Sequence, residues 1–259
     1  MLQIEDLSLS FGGVHAIEGL NLTVPDGTIT ALIGPNGAGK TSVLNVINGF
    51  FRPQRGRVLH DGLDLLSVPP YRVIQQGITR SFQNVALFGG LSVTDNLIVG
   101  YDHRSRTGFA RDLLHTPKVA RHERAARARA QEVLEFLGIT GIARRRAEEL
   151  GFGERKLVDL GRALIGSPAL VLLDEPASGL AEGQKAWLAE VLSRIPAEFG
   201  AAVLVIDHDM RVVMGVSSKV IVMDFGRKIA EGTPDEVRAD PVVVTAYLGG
   251  SAHGAAEGH

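Results

Sequence analysis

Apolar positions along the chain follow two periods. Leu7-Ser8-Leu9-Ser10-Phe11 and Leu20-Asn21-Leu22-Thr23-Val24 alternate apolar with polar residues, as half-buried strands do. The second ends at the turn Pro25-Asp26-Gly27. Ile29-Thr30-Ala31-Leu32-Ile33 is mostly apolar and leads straight into a glycine-rich stretch. Three later runs, at 169–173, 202–206 and 220–223, are continuously apolar, which suits parallel strands covered on both faces. Residues 42–47 and 184–195 read as helices. So does the Ala-, Arg- and Glu-rich stretch 120–137, with Val133, Leu134 and Leu137 on one face. Strands alternating with helices predict an α/β domain built on a parallel sheet.

Composition changes this picture in two places. Residues 104–146 carry eleven Lys or Arg and four Asp or Glu. We read them as a helical insert with a solvated basic face, nucleic-acid binding being the alternative. The tail 249–259 is rich in Gly, Ala and His and is expected to be disordered. Elsewhere the 259 residues are ordinary for a globular protein, with 45% hydrophobic residues, 22% charged and a net charge of −2. No global field therefore favours nucleic acid or an anionic membrane. The absence of cysteine excludes disulfides and thiolate metal sites. Residues 1–6 lack a signal-peptide layout, and no apolar stretch reaches spanning length. The expectation is a cytosolic protein whose membrane role needs a spanning partner.

Gly34-Pro35-Asn36-Gly37-Ala38-Gly39-Lys40-Thr41 matches G-x-x-x-x-G-K-[ST], between a predicted strand and a predicted helix. Such a loop wraps phosphate with backbone N–H groups, and the helix adds the positive end of its dipole. Lys40 is expected to reach the β- and γ-phosphates, Thr41 to ligate Mg²⁺, and Ser42 to bond a phosphate oxygen. Asp174-Glu175 closes the apolar run at 170–173. There Asp174 would hold Mg²⁺, and Glu175 would be the general base for the attacking water. His208 lies just past the run at 202–206, at the strand edge where α/β sheets bind ligands.

Together these residues resemble the ATP-binding cassette ATPases across residues 2–248. The fold so implied is a P-loop NTPase: a parallel sheet core, an N-terminal antiparallel β subdomain, and a helical subdomain over about 85–162. These form one domain, 1–248, ahead of the tail. The resemblance makes Phe11 the aromatic that stacks on adenine. Gln83 becomes the glutamine that touches Mg²⁺ and water and signals to the membrane subunit. Leu150-Gly151-Phe152-Gly153-Glu154 stands at the signature position, which acts on the opposite subunit's nucleotide. Ser178-Gly179-Leu180-Ala181 matches the D-loop, and His208 the switch histidine.

The resemblance is closest to the longer ATPase type of high-affinity branched-chain amino acid importers. It is carried by residues 79–88, 91–97 and 226–234 and by Ala246-Tyr247-Leu248-Gly249. It implies ATP and Mg²⁺ as substrate and cofactor, a second ATPase subunit, two transmembrane permeases and a periplasmic or extracellular solute-binding protein. The chain would sit at the cytoplasmic face of the cell membrane, held there by the permeases. Amide, urea or another small solute fits as well. The alternatives are a lipid or lipopolysaccharide exporter and a non-transport cassette protein.

The signature departs from the family's Leu-Ser-Gly-Gly-Gln. Only Leu150 and Gly153 match, and Glu154 brings negative charge toward the phosphate position. Ala181 stands where the D-loop usually has Asp or Asn. The chain's own glycine loop, Asp174, Glu175 and His208 match the family's pattern in full. The expectation is a heterodimer with unequal sites, the one built on Lys40 being the faster provided the partner brings a better signature; the alternative, a homodimer, would have two weakened sites.

Overall fold

A strand that is apolar at every position needs cover on both sides, and the chain supplies two different covers. The computed structural model describes residues 1–81, 86–101 and 117–253, with backbone alone at 117–119 and 248–253. Its larger sheet has the order β10-β9-β3-β8-β7-β6. The strands are β3 (Ile29–Ile33), β6 (Ile78–Ser81), β7 (Leu170–Asp174), β8 (Ala202–Ile206), β9 (Lys219–Asp224) and β10 (Arg227–Gly232). All neighbours are parallel except β9 and β10.

Alternate residues of the central strands enter different cores. Ala31, Val171, Leu173, Val203, Val205, Val220 and Val222 join a core with the helices α3 (Val93–Tyr101), α4 (Pro117–Phe136), α5 (Phe152–Leu164), α6 (Glu182–Phe199) and α7 (Met210–Val216). Leu32, Leu170, Leu172, Leu204, Ile206, Ile221 and Met223 face the other way, onto α1 (Lys40–Ile47) and a smaller sheet. Burying each such side chain is worth about 1.5–3 kcal/mol, so the two-sided strands are the most stabilising segments per residue.

The smaller sheet is antiparallel, with the order β2-β1-β4-β5. β1 (Leu2–Phe11) and β2 (Val14–Val24) are longer than the alternation predicts. Register shifts along the pair break the period and hide their outer halves from a pattern reading. β4 (Arg55–His60) and β5 (Leu63–Asp64) have no apolar pattern of their own. β4 is held by register and charge: Arg55 pairs with Asp6 at 2.5 Å and Arg57 with Glu5 at 3.1 Å. A short helix, α2 (Pro70–Val73), connects toward β6.

In the helical insert, α4 buries Ala126, Ala130, Val133 and Leu134, with Leu137 just beyond it. Arg127 pairs with Glu123 on the exposed face, while Arg129 pairs with Glu132, lies over the Phe199 ring and donates to Ser167 Oγ. Arg121, Arg124 and Arg127 are exposed. At the C-terminus, α8 (Pro234–Ala239) leads into α9 (Pro241–His253), whose helical backbone continues past residue 248 into the stretch expected to be disordered.

Among the described residues, His60 is the one buried histidine, only 4% exposed, and a backbone hydrogen bond with Gln76 favours its charged form. Burial holds it below its ordinary pKa, against the pull of Asp61, 3.7 Å from Nε2, and of Asp26; the N-terminal ammonium adds to the lowering. The folded state thus binds fewer protons at this site than the unfolded chain. Stability should therefore fall as pH drops below the unfolded value of 6.5. A His60→Leu variant is expected to lose less melting temperature than the parent between about pH 7 and about pH 5, measured by thermal denaturation.

Candidate nucleotide site

The carboxyl ends of β3, β7 and β8 lie side by side, which gathers residues far apart in sequence. After Ile33 the chain turns through residues 34–39 into α1. A β-carbon at Gly34 would lie 2.0 Å from the Met223 carbonyl oxygen, and one at Gly39 2.2 Å from that of Ala16. Both positions also have positive φ, so glycine alone lets the loop seat between β9 and β2. The Gly226 N–H donates to the Ala38 carbonyl at 3.1 Å and closes that seat. Gly37 faces open space at the mouth of the loop.

Lys40 Nζ donates to the carbonyls of Gly34 and Pro35, both at 2.8 Å. Burial lowers its pKa, and the charges of Glu175 and Asp174 oppose that. The ammonium thus sits half-desolvated, bridging two neutral carbonyls. A phosphate offers it a stronger, charge-assisted partner. Thr41 and Ser42 come next, in the first turn of α1.

Asp174 ends β7 with its side chain 2% exposed and paired to Arg80 of β6 at 2.7 Å. Arg80 also donates to Asn45 Oδ1 of α1 at 2.8 Å. One guanidinium therefore ties the acidic strand end to the helix behind the glycine loop. Glu175, the next residue, has φ +50°. Its N–H donates to the Ile206 carbonyl at 2.7 Å, and its Oε2 lies 4.0 Å from His208 Nδ1. His208 itself is exposed.

Between them, Asp207 is almost fully buried. Its two oxygens accept the N–H groups of Ala177, at 2.7 Å, and of Asp209, at 2.9 Å. It thereby fastens the loop after Glu175 to the loop carrying His208. Asp209 in turn caps α7 and pairs with Lys185 at 2.7 Å.

The signature stretch opens α5. Leu150 is buried, Gly151 is the N-cap, and Phe152 is exposed. The Glu154 carboxylate turns back to accept the Gly151 N–H at 2.9 Å and lies 3.3 Å from Arg145. Its charge is thus shared with its own helix start and a neighbouring guanidinium. Gly153 borders Gln184 of α6. In the D-loop, the Ser178 N–H donates to the Glu175 carbonyl at 3.2 Å, Leu180 is buried, and the Ala181 N–H donates to Gln184 Oε1 at 3.1 Å. A β-carbon at Gly179 would lie 2.7 Å from the Phe152 ring.

Phe11 is 46% exposed and meets Phe51 edge-on at 5.0 Å, leaving ring surface for a flat ligand. Gln83 lies outside the described residues. The structure therefore brings Lys40, Asp174, Glu175 and His208 to one sheet edge and leaves the part of Gln83 open.

Arg80, Asp207 and Lys156 are missing from the sequence reading. Asp207 carried a signal, a charged residue directly after an apolar strand, whereas Arg80 sits in the polar strand Ile78–Ser81 and carried none. Lys156 carried none, being one of several charges in α5. Tyr247 belongs to the C-terminal motif. Burial raises the pKa of its phenol, opposed by a hydrogen bond from the Gly34 backbone, so α9 touches the start of the glycine loop.

The Thr41 hydroxyl and the buried Asp174 carboxylate are oxygen donors of the kind that would suit a hard cation such as Mg²⁺. No cluster of three or more His, Asp or Glu able to hold a metal occurs among the described residues. The ion would therefore rely on nucleotide oxygens for the rest of its shell.

A family model described as ABC transporter matches residues 17–178, and one described as branched-chain amino acid ATP-binding cassette transporter matches 227–253. The chain is 36% identical over 249 residues to the high-affinity branched-chain amino acid transport ATP-binding protein BraF of Pseudomonas aeruginosa, covering 96% of this chain and 98% of that one. It is 36% identical, with the same coverage, to LivG of Escherichia coli, which has the same description. Among solved structures it is similar to an ATP-binding cassette of an ABC transporter in its ADP conformation, with a TM-score of 0.82, 32% identity, and coverage of 96% and 98%. With its glycine loop, acidic strand end and His208 at one sheet edge, the chain belongs to the ATP-binding cassette family of transporter ATPases.

Proposed function

We propose that this chain is the ATP-hydrolysing subunit of an importer for branched-chain amino acids or similar small polar solutes. The observation that carries the ATPase reading is the convergence of Lys40, Asp174, Glu175 and His208, with Glu175 and His208 4.0 Å apart. The match of residues 227–253 supports the solute class over lipid export.

ATP would lie with its phosphates in the 34–42 loop and its adenine on Phe11. Lys40 would leave the Gly34 and Pro35 carbonyls for the β- and γ-phosphates. Thr41 and Asp174, with Gln83, would hold Mg²⁺, which when bound would supply positive charge against the transferring phosphoryl group. Glu175 would take a proton from the attacking water, and His208 would orient that water and the γ-phosphate. Arg80 offsets the charge of Asp174, so the carboxylate stays in place in the buried strand end.

The partners come from the same reading. A second ATPase subunit would complete the site with its signature, two permeases would span the membrane, and a solute-binding protein would sit outside. No helix among the described residues is long and apolar enough to cross a membrane. The permease-facing surface would be the loop before α3. There Phe88 is 53% exposed and Leu91 is exposed beside it. Buried Asn96 shapes this loop, accepting the Phe88 N–H at 2.9 Å and donating to the carbonyls of Phe88, Leu91 and Ser92.

Glu175→Gln in the assembled transporter should cut ATP turnover by roughly 100- to 10,000-fold with ATP still bound. Turnover that barely falls would refute both the base and the faster site on this chain. Phe88→Glu should abolish solute-stimulated turnover in the assembled complex while leaving nucleotide affinity of the isolated chain unchanged. Arg80→Met should destabilise the chain by about 3–5 kcal/mol in denaturant unfolding, because it strands Asp174 as a buried charge.

A further inference from the structure

Glu175 holds a left-handed backbone conformation, φ +50°, that a side chain with a β-carbon adopts only when its surroundings enforce it. The carboxylate's direction depends on that conformation being kept. Part of the enforcement comes from the neighbouring strand, through the Ile206 carbonyl and Asp207 described above. The rest comes from α5. Lys156 reaches across from the second turn of that helix, and its Nζ donates to the carbonyls of Glu175 at 2.9 Å and of Pro176 at 3.0 Å. The two carbonyls flank a single peptide step, so one ammonium grips both sides of it.

Several features mark this as a built contact. The Lys156 ammonium is half-buried. Burial lowers its pKa, and the charges of Asp207, Glu175 and Asp159 counter that. Its Nζ lies 5.3 Å from the centre of the Phe152 ring, the same ring that packs against Gly179. The first two turns of α5 are therefore fastened to the 175–179 loop at two points, Lys156 at its start and Phe152 near its end. Lys156, Asp174, Glu175 and Pro176 also line one small cleft with Ser81 and Asp159.

We propose that Lys156 is a positioning residue for Glu175: its ammonium clamps the Glu175 and Pro176 carbonyls, fixes the carboxylate's direction, and ties it to the helix that begins with this chain's own signature segment. The inference rests on the reading of Glu175 as the base. Its consequence is that hydrolysis at this chain's own glycine loop depends on where its own signature helix sits. A displacement of α5 is transmitted through the lysine to the carboxylate.

The experiment uses the full chain and four variants, Lys156→Met, Lys156→Arg, Glu175→Gln and the Lys156→Met/Glu175→Gln double. ATP turnover is measured together with the affinity for a fluorescent ATP analogue. Lys156→Met should lower kcat by about 10-fold or more while leaving KM and analogue affinity within about twofold. Lys156→Arg, whose guanidinium can donate to both carbonyls, should recover most of the rate. In the Glu175→Gln background, Lys156→Met should add no further loss. Equal losses of kcat and nucleotide affinity, no rescue by arginine, or additive losses in the double variant would overturn the proposal. If Glu175→Gln is impaired and Lys156→Met is not, the clamp alone fails. If Glu175→Gln turns over normally, the reading of the base fails, and the clamp with it. Should Lys156→Met not fold by circular dichroism, Lys156→Gln, which keeps one donor, carries the same kinetic comparison.

Discussion

The central constraint is that β3, β7, β8 and β9 are apolar at almost every position and must be covered on both faces. One cover is the helical layer and the other is α1 with the antiparallel sheet. Because neighbouring strands run parallel, their carboxyl ends all emerge at the same edge. The glycine loop, the Asp174-Glu175 pair and His208 sit at or just beyond those strand ends, so they emerge together. The site is a by-product of strand direction, and its precision comes from the rigidity of the packed sheet.

Few charges lie within that rigid edge, and each acts locally. Arg80 offsets Asp174 and reaches Asn45 behind the glycine loop. Asp207 accepts backbone N–H groups of two loops, one on each oxygen. Lys156 directs its ammonium at two carbonyls. Each is a charged group inside or beside a dry core, and each is matched by partners on a different element. Unmatched, each would cost several kcal/mol; matched, they fix the relative placement of loops that carry chemistry.

The departures in the signature stretch look different in the folded chain. Phe152 is an anchor on the D-loop rather than a lost glycine alone, and Glu154 caps its own helix. The same segment is braced against the loop that follows β7, through Lys156 and Phe152.

Much of this was legible in the linear chain. Continuous apolar runs at 170–173 and 202–206 suited buried parallel strands, and the glycine pattern at 34–41 called for a strand before it and a helix after. Both signals are local, since periodicity and turn chemistry are properties of adjacent residues. β4, β5 and β10 were not legible, because each is held by register against a neighbour and carries no apolar pattern that stands alone. The same holds in the site. Glu175 and His208 announced themselves by their place after a strand, whereas Lys156 is one more charge on a polar helix until α5 is laid across the sheet edge. The central strands, the phosphate loop and the family could thus be read from the order of residues alone. Which charges meet could not. Contacts between residues 19 or 94 positions apart, as at Lys156–Glu175 and Arg80–Asp174, depend on how elements pack and leave no periodic trace in the chain.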